Sequence, residues 1–149
     1  MAYKRILVPV DGSKVSDLGL KEAIRLARAG GGRLRLLHVV AEYAAYAGTD
    51  GVADIGPLIE SLRKEGQRTL AKVERRTRAP GLKVETALAE TAGGRVADAI
   101  VDEAKRWRAD AIVMGTHGRR GVKRMLLGSD AELVIRYSPV PVLLVPGKR

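Results

Sequence analysis

The chain is predicted to be an α/β protein: one domain built on an open parallel sheet with helices on both faces. Three observations predict this. Short apolar runs alternate with longer segments of helical period, in the order β-α-β-α-β-α-β-α-β. The length, 149 residues without an internal repeat or a linker-like stretch, suits a single unit spanning residues 1–149. Hydrophobic residues make up 46% of the chain, enough for a core, which must be aliphatic because aromatics are 3% and Phe is absent.

Each element has its own signal. Arg5-Ile6-Leu7-Val8-Pro9-Val10 is a buried strand ended by the turn Asp11-Gly12-Ser13. Leu20, Ala23, Ile24 and Ala27 repeat at helical spacing until Gly30-Gly31-Gly32 stops them. Leu34 to Val40 is the second strand. Ala41 to Gly56 has no period and is predicted to be a loop, with room for a short helix. Pro57 stands where a first helical residue would, and an amphipathic helix runs on to about Arg78. After Ala79-Pro80-Gly81, Leu82 to Leu88 alternates like a half-exposed strand. Val96, Ala97, Ile100, Val101, Ala104 and Trp107 mark a third helix starting from Gly94. Ala111 to Met114 is the fourth strand, Ser129 opens a short helix, and Val140 to Val145 is the last strand.

Composition excludes some chemistry. With no Cys there is no disulfide, thiol nucleophile or Cys-ligated metal. No apolar stretch approaches the ~18 residues of a membrane span, and the opening MAYKRILVPVDGS turns polar too soon for a signal peptide. A cytoplasmic protein with no membrane partner is expected. The net charge of +10 favours anionic partners, although an Arg-rich surface accounts for it equally well. Specific nucleic-acid binding is not expected, because one Trp and four Tyr are a poor supply of stacking platforms.

Ligands of doubly wound sheets bind at the carboxyl ends of strands where the strand order reverses. The fourth strand leads into GTHGRRGVKRMLLGS, residues 115–129, with four glycines among His117, Arg119, Arg120, Lys123 and Arg124. Glycine backbone can approach an anion closely, and the helix beginning near Ser129 adds N–H donors and a positive dipole end. The Ser129 hydroxyl has two readings, a phosphate contact or its own helix cap. The stretch is not a P-loop, since no G-x-x-x-x-G-K-[ST] occurs.

Three motifs carry a family resemblance. Gly115-x2-Gly118-x9-Gly128-Ser129 resembles the ATP-binding signature of the universal stress protein family. Lys4 to Ser13, KRILVPVDGS, resembles that family's opening, and Ser138 to Val145, SPVPVLLV, its final strand. The resemblance implies a Rossmann-like sheet of order 3-2-1-4-5, of the adenine nucleotide alpha hydrolase-like kind. It also implies the branch that binds ATP, with AMP and ADP as alternatives and Mg²⁺ or Mn²⁺ on the phosphates. By position, Asp11 resembles the acidic residue facing the nucleoside, and Val39 the position whose backbone reads the adenine edge. Pro9, Val10 and Met114 match its apolar walls. Gly115, Gly118, Gly128 and Ser129 match its phosphate contacts, with Arg119 close by. Asp130 departs from the pattern; it is expected to point away as a first-turn acid, the alternative being a metal on the phosphates. In that strand order Val140, Pro141, Val142, Leu143, Leu144 and Val145 form an apolar edge, which a second copy is expected to cover, giving a homodimer.

Plainer readings stand beside these. Asp11 suits a turn after a strand, and His38 a hydrogen-bonded core position. Trp107 fits the core. His117 suits a phosphate contact, but two histidines do not make a metal site. No nucleophile–base pair or carboxylate cluster is recognisable, so no catalytic residue is assigned. The function expected is a nucleotide-dependent stress-response module that changes protein partners; the alternative is a slow ATP-hydrolysing or phosphate-transferring enzyme on the same fold.

Overall fold

A computed structural model describes residues 2–42, 54–91, 93–116 and 127–147. Among the described residues five strands and four helices alternate: β1 (Arg5–Pro9), α1 (Lys14–Gly30), β2 (Arg33–Val40), α2 (Gly56–Thr77), β3 (Lys83–Glu90), α3 (Val96–Trp107), β4 (Ala111–Gly115), α4 (Ser129–Tyr137) and β5 (Val142–Val145). The strands form one parallel sheet in the order β3-β2-β1-β4-β5. β1 and β4 are therefore neighbours at the reversal, with Ile6 beside Ala111 and Leu7 beside Ile112.

Period-two alternation sends successive strand residues to opposite layers. Ile6, Val8, Leu34, Leu36 and Val113 pack with Leu20, Ala23 and Ala27 of α1 and with Leu70 and Val73 of α2. Leu7, Leu37, Ile112 and Met114 pack with Ala97, Ile100 and Ala104 of α3 and with Ala131 and Val134 of α4. Both faces are covered, which is why the central strands read as continuous apolar runs.

The helix ends follow their local chemistry. The Ser13 hydroxyl caps α1 by accepting the Ser16 N–H at 3.1 Å, and Gly31 ends that helix in the left-handed region at φ +63°. Pro57 sits in the first turn of α2, which begins at Gly56, so that residue is helical and not loop. Residues 43–53 of the expected loop lie outside the described residues. α3 starts at Val96, two residues later than Gly94, because Arg95 is its N-cap and the Asp98 carboxylate accepts from the Arg95 N–H. β5 is shorter than expected, beginning at Val142. Val140 is bent around Ser138, whose hydroxyl donates to the Val140 carbonyl at 2.7 Å and accepts its N–H. Pro141 lies just before the strand, where it needs no N–H donor, and its carbonyl accepts from the Ile112 N–H at 3.0 Å.

One polar cluster crosses the α3 layer. Arg35, on β2, donates to Glu85 of β3 at 2.5 Å and to Glu103 of α3 at 2.6 Å. Its guanidinium lies over the Trp107 ring at 4.8 Å, and that of Arg5 at 5.7 Å. Trp107 is thus a core residue, 6% exposed, and also the platform for two cations.

Candidate functional site

The carboxyl ends of β1, β2 and β4 open into a cleft of about 660 Å³. Pro9, Val10 and Asp11 of the β1 end line it, with Leu37 to Ala41 from β2 and Met114, Gly115 and Thr116 from β4. Gly128, Ser129, Asp130 and Ala131 close it at the start of α4, while Leu62 and Glu65 of α2 and Gly94, Arg95 and Val96 before α3 complete the wall. Nine of the eleven residues expected to contact nucleotide line this one cleft: Pro9, Val10, Asp11, Val39, Met114, Gly115, Gly128, Ser129 and Asp130. The other two, Gly118 and Arg119, lie outside the described residues, as do His117, Arg120, Lys123 and Arg124.

The β1 end is held rigidly. The Val10 N–H donates to the Leu37 carbonyl at 2.8 Å, and the Val10 carbonyl accepts from His38 Nδ1 at 3.0 Å. That bond makes His38 the hydrogen-bonded structural histidine expected; its partner is a pure acceptor, so Nδ1 carries the proton. Gly66 of α2 makes room for the imidazole, since a Cβ there would come within 2.7 Å of His38 Cδ2. Asp11 Oδ1 accepts the Ser13 N–H at 2.9 Å, and the Asp11 N–H donates to the Ser16 hydroxyl at 3.2 Å. The turn role of Asp11 is therefore real, and the residue lines the cleft as well.

The β4 end has two demands on its backbone. A Cβ on Gly115 would stand 2.5 Å from Val15 Cγ1 and 2.7 Å from the Val15 carbonyl oxygen. A Cβ on Gly19 would stand 3.0 Å from the Gly115 nitrogen. Glycine at both positions lets the start of α1 lie directly against the strand end, a packing reason that applies whatever occupies the cleft. Beyond Thr116, the Gly128 N–H donates to the Thr116 carbonyl at 2.6 Å, so the two ends of the glycine-rich stretch meet at the sheet.

The N-cap of α4 is Gly128, and no side chain caps this helix. The capping reading of Ser129 is thereby corrected: Ser129 is the first helical residue, one position past the cap, too far along to cap the turn it belongs to. The N-terminal dipole end of α4 opens on the cleft, where an anion would be favoured. Asp130 is in the first turn of α4, where the dipole favours an acid, and it also lines the cleft. Sequence reasoning missed Ser16, Leu62, Glu65, Arg95 and Thr116 as wall residues. For Arg95 a signal existed, a cation immediately before the third helical run; Asp98 Oδ1 and Oδ2 accept from it at 2.9 and 3.0 Å and raise its pKa further.

Among the described residues no group of three or more His, Cys, Asp or Glu is arranged to hold a metal ion, and no helix is long and apolar enough to cross a membrane.

Comparison with known proteins finds relatives over nearly the whole chain. The model of the universal stress protein family matches residues 2–146. The chain is 38% identical over 143 residues to universal stress protein MJ0531 of Methanocaldococcus jannaschii, covering 96% of this chain and 82% of that protein. The solved structure of MJ0577, from the same organism, superimposes with a TM-score of 0.86 at 30% identity, covering 100% of this chain and 99% of that one. A universal stress protein of Archaeoglobus fulgidus, solved in complex with dAMP, superimposes with a TM-score of 0.68 at 28% identity, covering 97% of this chain and 98% of that one. With residues 2–146 matched by the family model and the fold shared with MJ0577, this chain belongs to the universal stress protein family.

Proposed function

We propose that the cleft binds an adenine nucleotide, ATP foremost, and that the protein is a nucleotide-dependent regulatory module of the stress response. The carrying observation is the cleft itself: an acidic residue, Asp11, at one strand end, and opposite it the α4 N-terminus with Gly128 at its cap. The first suits a nucleoside hydroxyl or amine, the second a phosphate. The dAMP complex of the Archaeoglobus fulgidus relative supports the choice of ligand. In this reading Val39 offers backbone to the adenine edge, and Pro9, Val10 and Met114 form the apolar walls. Gly115, Gly118, Gly128 and Ser129 meet the phosphates, with Arg119 beside them and Mg²⁺ or Mn²⁺ neutralising the charge near Asp130. AMP and ADP occupy the same cleft with fewer phosphate contacts. The protein acts in the cytoplasm, where ATP is available, as a homodimer that changes protein partners with its nucleotide state.

Calorimetry with ATP and with adenosine tests the orientation. Asp11→Asn keeps a side chain able to make the same turn but removes the charge, and it is expected to weaken ATP and adenosine alike, by about 10-fold, the worth of a charge-assisted hydrogen bond over a neutral one. Gly118→Glu adds a negative charge to the phosphate stretch and is expected to abolish ATP binding while sparing adenosine. Unchanged ATP binding in both variants refutes the site.

A further inference from the structure

α2 carries a row of exposed cations along one face. Two arginines of this helix are paired: Arg63 with Glu60 and Glu90, and Arg76 with Asp17 of α1. Four further cations, Lys64, Arg68, Lys72 and Arg75, are exposed and have no ion-pair partner among the described residues. Other exposed arginines are divided: Arg25, Arg78 and Arg136 pair with Glu22, Glu74 and Glu132 within one turn, whereas Arg28 and Arg108 have no ion-pair partner among the described residues, so what sets the α2 cations apart is their number on one helix face.

The spacing of the four is regular. They lie four, four and three residues apart. At 3.6 residues per turn they fall within about 80° of the helix circumference and span about 16 Å of its axis. Like charges at these spacings repel and weaken a helix, so the row costs the free protein stability. The opposite side of α2 buries Gly66, Leu70, Val73 and Thr77 against the sheet, which fixes the row outward.

The partner this row fits is linear, regular and anionic. We propose that the α2 ridge docks double-stranded nucleic acid through its phosphate backbone, without reading bases. A duplex presents one negative charge per ~1.7 Å of axis, so about 16 Å of it offers about ten phosphates to four cations. Backbone docking needs no aromatic stacking, which agrees with the scarcity of aromatics. A lipid surface fits less well: the apolar side of α2 is committed to the core, and its one large exposed apolar side chain, Leu58, stands more than a turn before Lys64.

The test is fluorescence anisotropy of a labelled random-sequence duplex over a salt series, using the full-length protein. Wild type is expected to lose affinity more than about 100-fold between ~50 and ~200 mM salt. The variant K64Q/R68Q/K72Q/R75Q is expected to flatten the slope of log K against log salt by about 3.6, at ~0.9 per phosphate contact, and R68Q alone by about 0.9. A control that removes equal charge from the opposite face, K105Q/R106Q/R108Q/R136Q, is expected to keep the wild-type slope. Failure of the wild type to bind duplex at ~50 mM salt overturns the proposal. So does an equal loss in the control, which would assign binding to net charge alone. Tighter, ridge-dependent binding to phosphatidylglycerol vesicles than to duplex overturns it as well. ATP titrations run on the same variants read the cleft separately, so the two proposals stand or fall independently.

Discussion

The two edges of this sheet are built on opposite principles. β3 is eight residues long, pairs with β2 along its whole length and carries charge: Lys83, Glu85 and Glu90. Glu85 is bound by Arg35 and lies 3.7 Å from Arg33, and Glu90 is bound by Arg63 of α2. β5 is four residues long and has no charge at all. Its Leu143 is 40% exposed, and Ile135 and Tyr137 of α4 are exposed at 46% and 52%. Charges on an edge strand oppose pairing with another chain, whereas a bare apolar edge invites it. β5 is thus the edge open to pairing with another chain, while β3 is defended by ion pairs that also tie it to the interior.

Breaking the β3 anchor is expected to have the largest effect. Arg35→Met strands Glu103, whose side chain is 5% exposed, and removes one partner of Glu85. Losing one member of a buried pair costs about 3–5 kcal/mol; the partial exposure of Arg35 and the second cation, Arg106 at 3.5 Å from Glu103, reduce this to about 2–3 kcal/mol. Urea denaturation measures it, and a loss under about 1 kcal/mol would show that the cluster does not hold the edge.

The β5 edge comes next. Val142 and Leu144 pack toward α3 and α4, so of the edge residues Leu143, which faces outward, is the one to probe. In the proposed homodimer, Leu143→Arg places an unpaired charge at the junction and is expected to weaken association by about 100-fold, or ~2.7 kcal/mol. Sedimentation equilibrium decides; a wild type that is monomeric at tens of micromolar refutes the dimer.

The smallest effect is on pH dependence. The Arg35 guanidinium, with Arg33 adding to it, holds the Glu85 carboxyl below the usual carboxylate range. A depressed pKa contributes stability that is present above the unfolded-state value and lost as pH falls through the folded one. Glu85→Gln is expected to flatten the acid limb of the stability–pH curve while leaving the neutral region lower by under about 1 kcal/mol, since Glu85 is 37% exposed and solvent screens the pair. An unchanged acid limb would show that Glu85 is no better paired in the folded state than in the unfolded chain.

Much of this was readable along the chain. The short apolar run at Leu34 to Val40 and the period of Leu20, Ala23 and Ala27 located β2 and α1, because apolar runs and helical spacing are local properties. Gly115, Gly128 and Ser129 were recognisable as one constellation because their spacing survives in the sequence. Arg35 was not recognisable as a cluster centre: nothing near it in the apolar run marks it, and its partner Glu103 is 68 positions away. Nor was the packing role of Gly115, since the Val15 it accommodates arrives on another element.

The amino-acid sequence by itself determined the kind, order and approximate limits of the nine elements, and with them the parallel, doubly covered sheet. Hydrophobic periodicity and turn residues act over a few positions, so one chain suffices to read them. Tertiary structure alone decided which acids meet which cations, which wall residues join the cleft from α2 and α3, and which apolar side chains on β5 face outward. Those outcomes depend on how elements distant in sequence cross and pack, and the packing of a whole domain is written in no single segment of it.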